Sequence, residues 1–250
     1  MANLFNYRNL GKKIVCVARN YKDHALELGN ALPKKPLFFV KSVNSYVSEG
    51  RPIVAPAGCN KLHQEVELGV KPLFFVKSVN SYVSEGRPIV APAGCNKLHQ
   101  EVELGVVFSK HAKNVQRNQA FNYIGGYTVA LDMTARDFQD EAKKAGAPWF
   151  LSKSFDTSCP AGDFIEARRI PDPRNVELFC RVNGEERQRC KTNAMIFDIP
   201  TLIEHLTTHV TMEPGDVLLT GTPAGVSAVK SGDCIEFGLE GIMSVKFHVQ

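Results

Sequence analysis

His99 to Phe108 reads HQEVELGVVF, and the alternation within these ten residues decides much of the fold. Val102, Leu104 and Val106 recur at every second position, the period of a β-strand, and Glu101 and Glu103 fall between them. On one strand running from His99 to Phe108, both carboxylates project from the same face. Downstream, Tyr127 to Leu131 is a second apolar strand run, and it ends at Asp132. Three carboxylates brought together repel one another unless a cation neutralises them. An all-oxygen donor set suits Mg2+ or Mn2+ better than zinc. By spacing alone a second reading stays open, in which the strand simply carries one solvated acidic face.

The stretch occurs twice. Lys71 to Val106 repeats Lys35 to Val70 residue for residue, 36 residues in each copy. Solenoid units diverge and number three or more, so two identical copies in an otherwise non-repeating chain are instead the mark of a tandem duplication, a duplicated exon or a gene-assembly artefact. Copy one offers a further pair, Glu65 and Glu67, but no second Asp132. Copy two runs on into Val107-Phe108, whereas copy one runs into Lys71-Pro72, where proline breaks a strand. Glu101 and Glu103 are therefore the expected pair, with Glu65 and Glu67 idle.

Around this stretch the chain reads as one domain. Its 250 residues suffice for a single buried core. The formal net charge is +4, and no block of Lys and Arg offers a nucleic-acid face. No apolar run approaches the roughly 18 residues of a membrane span, so neither nucleic acid nor membrane is an expected partner. Seven scattered cysteines without a CxxC pair point to a reduced compartment, not to a disulfide framework or a zinc ribbon. Residues 1–12 read as an N-terminal extension. Arg8, Lys12 and Lys13, with no acid among the first 13 residues, give it a weak organelle-targeting character.

Strands are expected to outnumber helices. Asp23 can cap a short helix to Leu28, Ala135 to Ala145 is helical in composition and stops at Gly146, and Pro200 suits the first turn of a helix to His209. Asn183-Gly184, flanked by Val176 to Val182 and Glu185 to Cys190, is a two-residue hairpin signal. The tail alternates strands with glycine turns. Since strands and helices do not alternate regularly, an α+β domain on a mixed or largely antiparallel sheet is expected.

Other chemistry-bearing residues are less decisive. His24 and Glu27 share a helix face at i and i+3, where the carboxylate can polarise the imidazole to activate water; a surface contact is the alternative. Lys153, in FLSKSF, can stabilise an oxyanion or grip a carboxylate, or can simply be solvated. Arg136 and Gln139 follow Asp132 on a helix. Thr220-Gly221-Thr222-Pro223 makes a sharp strand exit whose hydroxyl and N–H groups can meet an anion, or is a plain turn.

Together, ARNYKDH (18–24), HQEVELGVV, GYTVALDMTARDFQDEAKKAGAPW, SKSFDTSCP, VNGEERQ and DVLLTGTPAGV resemble the fumarylacetoacetate hydrolase (FAH) family, from about Lys13 to the end less one copy of the repeat. The resemblance implies a mixed β-roll with short helices over residues 13–250, and a homodimer. It implies Glu101, Glu103 and Asp132 as Mg2+ ligands, with Mn2+ as a substitute, and His24 with Glu27 as a water-activating dyad on a lid. Lys153 is then catalytic, and Arg19, Gln139 and Thr222 contact substrate. Ser42 and Ser78 depart from the family, which has proline there. The implied activity is C–C cleavage beside a 2-oxo acid through a metal-stabilised enolate. That makes the chain an acylpyruvate hydrolase and oxaloacetate decarboxylase, with oxaloacetate keto–enol tautomerisation at the same site, in the mitochondrion or cytoplasm. An isomerase or hydratase of the same fold, or a duplication-impaired binding protein, are the alternatives.

The resemblance also bears on the two copies. Lys41 follows His24 by 17 residues, the implied spacing, whereas Lys77 follows by 53; Glu103 precedes Asp132 by the implied 29. The expectation is that copy one supplies the strand before Lys41 and copy two the glutamates. The 36 residues between would be extruded, most easily from the Ser48–Asn60 loop, at a closure cost of about 1–2 kcal/mol.

Overall fold

The computed structural model describes residues 3–17, 20–23 and 74–250. Its first strands are β1 Ile14–Val17, β2 Phe74–Lys77, β3 Tyr82–Val83, β4 Leu98–Gln100, β5 Val102–Phe108 and β6 Ile124–Leu131. Then come β7 Thr134–Ala135, β8 Cys159–Pro160, β9 Ile165–Glu166, β10 Glu177–Val182 and β11 Glu185–Lys191. The last four are β12 Val217–Leu219, β13 Ser227–Val229, β14 Cys234–Leu239 and β15 Met243–His248. Among the described residues the α-helices given in full are α1 Tyr7–Leu10, α2 Arg136–Ala145, α3 Phe150–Lys153 and α4 Ile199–His209. This is the expected α+β class with short helices.

A six-stranded sheet in the order β2-β1-β12-β5-β6-β9 forms the centre. It is mixed, because β1 and β12 pair in parallel and the other neighbours are antiparallel. Both of its faces are covered. Val15 and Val17 of β1 belong to the main apolar cluster with Val102, Leu104, Val106 and Phe108 of β5. Ile14 and Cys16 point the other way, into a smaller cluster with Tyr7, Phe75 and Leu219. A strand covered on both sides has no solvated face, and every residue of β5 is buried. The four-stranded antiparallel sheet β11-β10-β14-β15 and the short sheet β13-β4-β7 complete the frame.

Local signals set several boundaries. Gly146 takes the left-handed conformation that ends α2. Asp198 accepts from the Thr201 N–H ahead of Pro200 and so caps α4. Asn183 (φ 53°) and Gly184 (φ 84°) form the tight turn joining β10 to β11.

Two expectations are corrected. The strand read from His99 to Phe108 is broken at Glu101 into β4 and β5, which belong to different sheets. The strand beside β1 is Phe74–Lys77 of copy two, so both this strand and the glutamates come from copy two. The physical reason lies in linkage along the chain: with the glutamates taken from copy two, β2 of that same copy runs to them through β3 and β4 without interruption. β5 must continue through Val107 and Phe108 to pair with β6 and β12, and only copy two is followed by these residues. The described part of the N-terminal stretch is tied to the domain. Tyr7 is buried and donates to the Gly162 carbonyl at 3.0 Å, and the Lys12 and Lys13 amides both donate to Asp216.

Candidate metal centre

The break at Glu101 and the end of β6 at Asp132 bring three carboxylates together. Glu101, Glu103 and Asp132 each offer an oxygen, and these oxygens lie within 4.8 Å of one another. They are 5%, 1% and 0% exposed, so the reading as a solvated acidic face does not hold. The Asp132 N–H donates to the Glu101 carbonyl at 2.8 Å, which fixes the two backbones against each other.

Cations surround the cluster. Lys153, at the end of α3, reaches Asp132 at 2.5 Å, Glu101 at 3.0 Å and the Thr134 hydroxyl at 2.6 Å. Burial works against its ammonium, but Asp132 and Glu101 outweigh that and hold Lys153 above the ordinary lysine range. Arg136 pairs with Glu101 and donates to Gln139 Oε1 at 2.6 Å, so the helix residue Gln139 joins the centre through an arginine. Lys77 lies 2.8 Å from Asp132 and donates to the Met133 and Lys153 carbonyls. It is fully buried, and its repeat twin Lys41 lies outside the described residues.

Glu103 accepts from the Gly221 N–H at 2.7 Å. Burial first, then Asp132 and Glu101, push its carboxyl well above the ordinary range, against the opposing pull of Lys153 and of that N–H. Such a shift marks a place where further positive charge is stabilising. With an all-oxygen donor set, the residues fit a divalent cation. The buried thiol of Cys16 is pushed up by burial and then by Asp132 and Glu103, so it stays a thiol.

The anion met by the Thr220–Pro223 exit is thus the protein's own glutamate. Gly221 sits at φ +97°, and a Cβ there would lie 2.9 Å from Asn20 Cβ. Gly221→Ala is therefore expected to destabilise the fold by about 1–3 kcal/mol, read as a lower urea midpoint. An unchanged midpoint would contradict this account of the turn. Thr222 is buried next to it and accepts from Gln188 at 2.8 Å.

Lys153, Glu101, Glu103 and Asp132 are thus brought together directly, Gln139 is joined through Arg136, and Thr222 follows the turn on Glu103. Arg19, His24 and Glu27 lie outside the described residues. Lys77 and Gln188 were not singled out from the sequence as site residues. Lys77 carried a spacing argument that favoured its twin, and Gln188 ends the VNGEERQ stretch of the resemblance without a role attached to it.

The fumarylacetoacetate (FAA) hydrolase C-terminal family matches residues 13–71 and 70–250. The mitochondrial oxaloacetate tautomerase fahd-1 of Caenorhabditis elegans is 57% identical over 250 residues, covering 100% of both chains. The mitochondrial oxaloacetate decarboxylase of Dictyostelium discoideum is 40% identical, covering 93% of this chain and 90% of its own. A crystal structure of fumarylpyruvate hydrolase from Pseudomonas aeruginosa, in complex with Mn2+ and pyruvate, superposes with a TM-score of 0.78 at 28% identity, covering 96% and 89% of the two chains. The mixed-sheet frame, the buried carboxylates and the end-to-end match lead to one assignment: the chain belongs to the fumarylacetoacetate hydrolase family.

Proposed function

We propose that this chain is a divalent-cation-dependent enzyme acting on oxaloacetate, with keto–enol tautomerisation as its principal reaction. The observation that carries the reading is the buried all-oxygen triad flanked by Lys153, in a chain 57% identical from end to end to an oxaloacetate tautomerase. Glu101, Glu103 and Asp132 would hold Mg2+ or Mn2+. The bound cation supplies Lewis-acid polarisation of a 2-oxo carbonyl.

Charge supports a dicarboxylate substrate. Among the described residues at the centre, three carboxylates face Lys77, Lys153 and Arg136, a formal sum of zero. A divalent cation leaves two positive charges, which match an oxaloacetate dianion.

The chain's own groups then move protons. His24, oriented by Glu27, removes a proton from C3 of the keto form, water supplies a proton to the 2-oxo oxygen to give the enol, and the imidazolium returns its proton to solvent. Lys153 keeps its proton and faces the oxygen on which charge develops. Arg19, Gln139 and Thr222 hold the substrate's carboxylates. Decarboxylation is the second reading, favoured by the name of the Dictyostelium relative. Loss of the C4 carboxylate as CO2 would leave the three-carbon pyruvate enolate instead, which is then protonated at C3. Acylpyruvate hydrolysis would add a water activated by the Glu27–His24 pair. The mitochondrial names of the relatives support the mitochondrion over the cytoplasm, and a homodimer remains part of the proposal.

The test follows the ultraviolet enol band and pyruvate release in parallel on one oxaloacetate sample. Enol decay accelerated by Mg2+- or Mn2+-loaded protein, abolished by EDTA and faster than pyruvate release, is the expected result. Pyruvate release matching enol loss would establish the decarboxylase instead. Decay no faster than in buffer would reject both.

A further inference from the structure

β11 is an outer strand of the second sheet, and its residues face solvent with one clear exception. Gln188 is 1% exposed. The ladder between β10 and β11 shifts register just before it: Cys180 faces Gln188, but Arg181 faces Glu186, so Arg187 is an extra residue. A bulge of this kind turns a side chain away from the direction its strand would give it.

The redirected carboxamide uses its hydrogen-bonding groups across the site. Oε1 accepts from the Val102 N–H at 3.0 Å, and Nε2 donates to Thr222 Oγ1 and to the Pro223 carbonyl, both at 2.8 Å. Val102 is the residue between Glu101 and Glu103. It lies where the strand read as continuous from the sequence is broken, and a side chain there takes an amide that an unbroken strand would give to its ladder. The opposite wall is equally close. At Gly225 (φ +93°) an added Cβ would fall 1.8 Å from the Arg187 carbonyl, so the loop after Pro223 rests its backbone on the bulge.

We propose that Gln188 is a positioning residue for the metal centre. Its carboxamide sets the break that turns Glu101 and Glu103 toward Asp132, and ties that break to the turn bearing Gly221 and Thr222. The inference rests on reading the triad as a metal centre. Gln188 touches neither reacting atoms nor cation; it acts through Val102 and Thr222.

The test uses the full-length protein with Gln188→Met, which keeps side-chain length and removes every hydrogen bond, and Gln188→Glu, which keeps an acceptor for Val102. Mn2+ binding is measured by titration calorimetry, and exchange of the Val102 amide is followed in metal-free protein. Gln188→Met is expected to weaken Mn2+ binding by about 10–100-fold and to raise Val102 exchange, while Gln188→Glu restores Val102 protection. If Gln188→Met binds Mn2+ as tightly as the unsubstituted protein, the inference falls. It falls equally if Gln188→Glu leaves Val102 as exposed to exchange as Gln188→Met does. Absence of Mn2+ binding by the unsubstituted protein would instead overturn the metal reading, and this role with it.

Discussion

Asp132→Ala is expected to destabilise the protein by about 3–5 kcal/mol and to remove its stabilisation by divalent cations. Asp132 is fully buried, accepts from the Lys153 ammonium at 2.5 Å and is ion-paired with the Lys77 ammonium at 2.8 Å. Alanine leaves both cations in the core without this counter-charge, and removing one partner of a buried pair is far more damaging than replacing the whole pair. Urea unfolding with and without Mn2+ checks both halves. The unsubstituted protein should gain stability with Mn2+ by mass action, while the variant should start lower and gain nothing. A variant with an unchanged midpoint and the full Mn2+ response would sink both the electrostatic account and the ligand assignment.

The second large effect separates the two copies. Deleting either copy yields the same polypeptide, because the segments are identical and adjacent, so truncation cannot tell them apart. A single substitution can. Lys77→Met removes the 2.8 Å partner of Asp132 and uncaps the Met133 and Lys153 carbonyls, all inside the core, for an expected loss of about 3–5 kcal/mol. Lys41→Met is expected to stay within about 0.5 kcal/mol of the unsubstituted protein, since copy two supplies the strand beside β1. Thermal or urea unfolding of the pair reads this directly. Equal losses, or a larger loss for Lys41→Met, would assign the strand to copy one.

The sequence disclosed those parts of the molecule that depend on near neighbours. Gly146, Asp198 with Pro200, and Asn183-Gly184 marked helix ends and a hairpin because capping and turn geometry are local. The carboxylates were legible for a similar reason, since alternation puts Glu101 and Glu103 on one side and a strand end presents Asp132. What escaped depends on distant partners. Tyr7 is buried by Thr128 and Gly162, more than a hundred residues away, so its stretch reads as an extension. Gln188 meets Val102 from 86 positions along the chain, so although VNGEERQ belongs to the resemblance, the spacing within EERQRCK gives its glutamine no role. The break at Glu101 was hidden because a side chain, not a turn residue, makes it. Between Lys41 and Lys77 no local argument could decide, because their neighbours are the same.

That identity has a kinetic consequence. During folding, β1 meets two equally good partners. Phe38 follows Val17 by 21 residues and Phe74 by 57, so closing the nearer loop is favoured by about 1 kcal/mol of chain entropy. The first encounter thus favours the copy with which β1 does not pair in the finished fold. Exchange to the copy-two strand puts β2 to β5 on one uninterrupted segment, whose end, Val107-Phe108, lies between β6 and β12 in a pairing Lys71-Pro72 cannot imitate. The duplication leaves the site's chemistry as it was and places a decoy on the route to it.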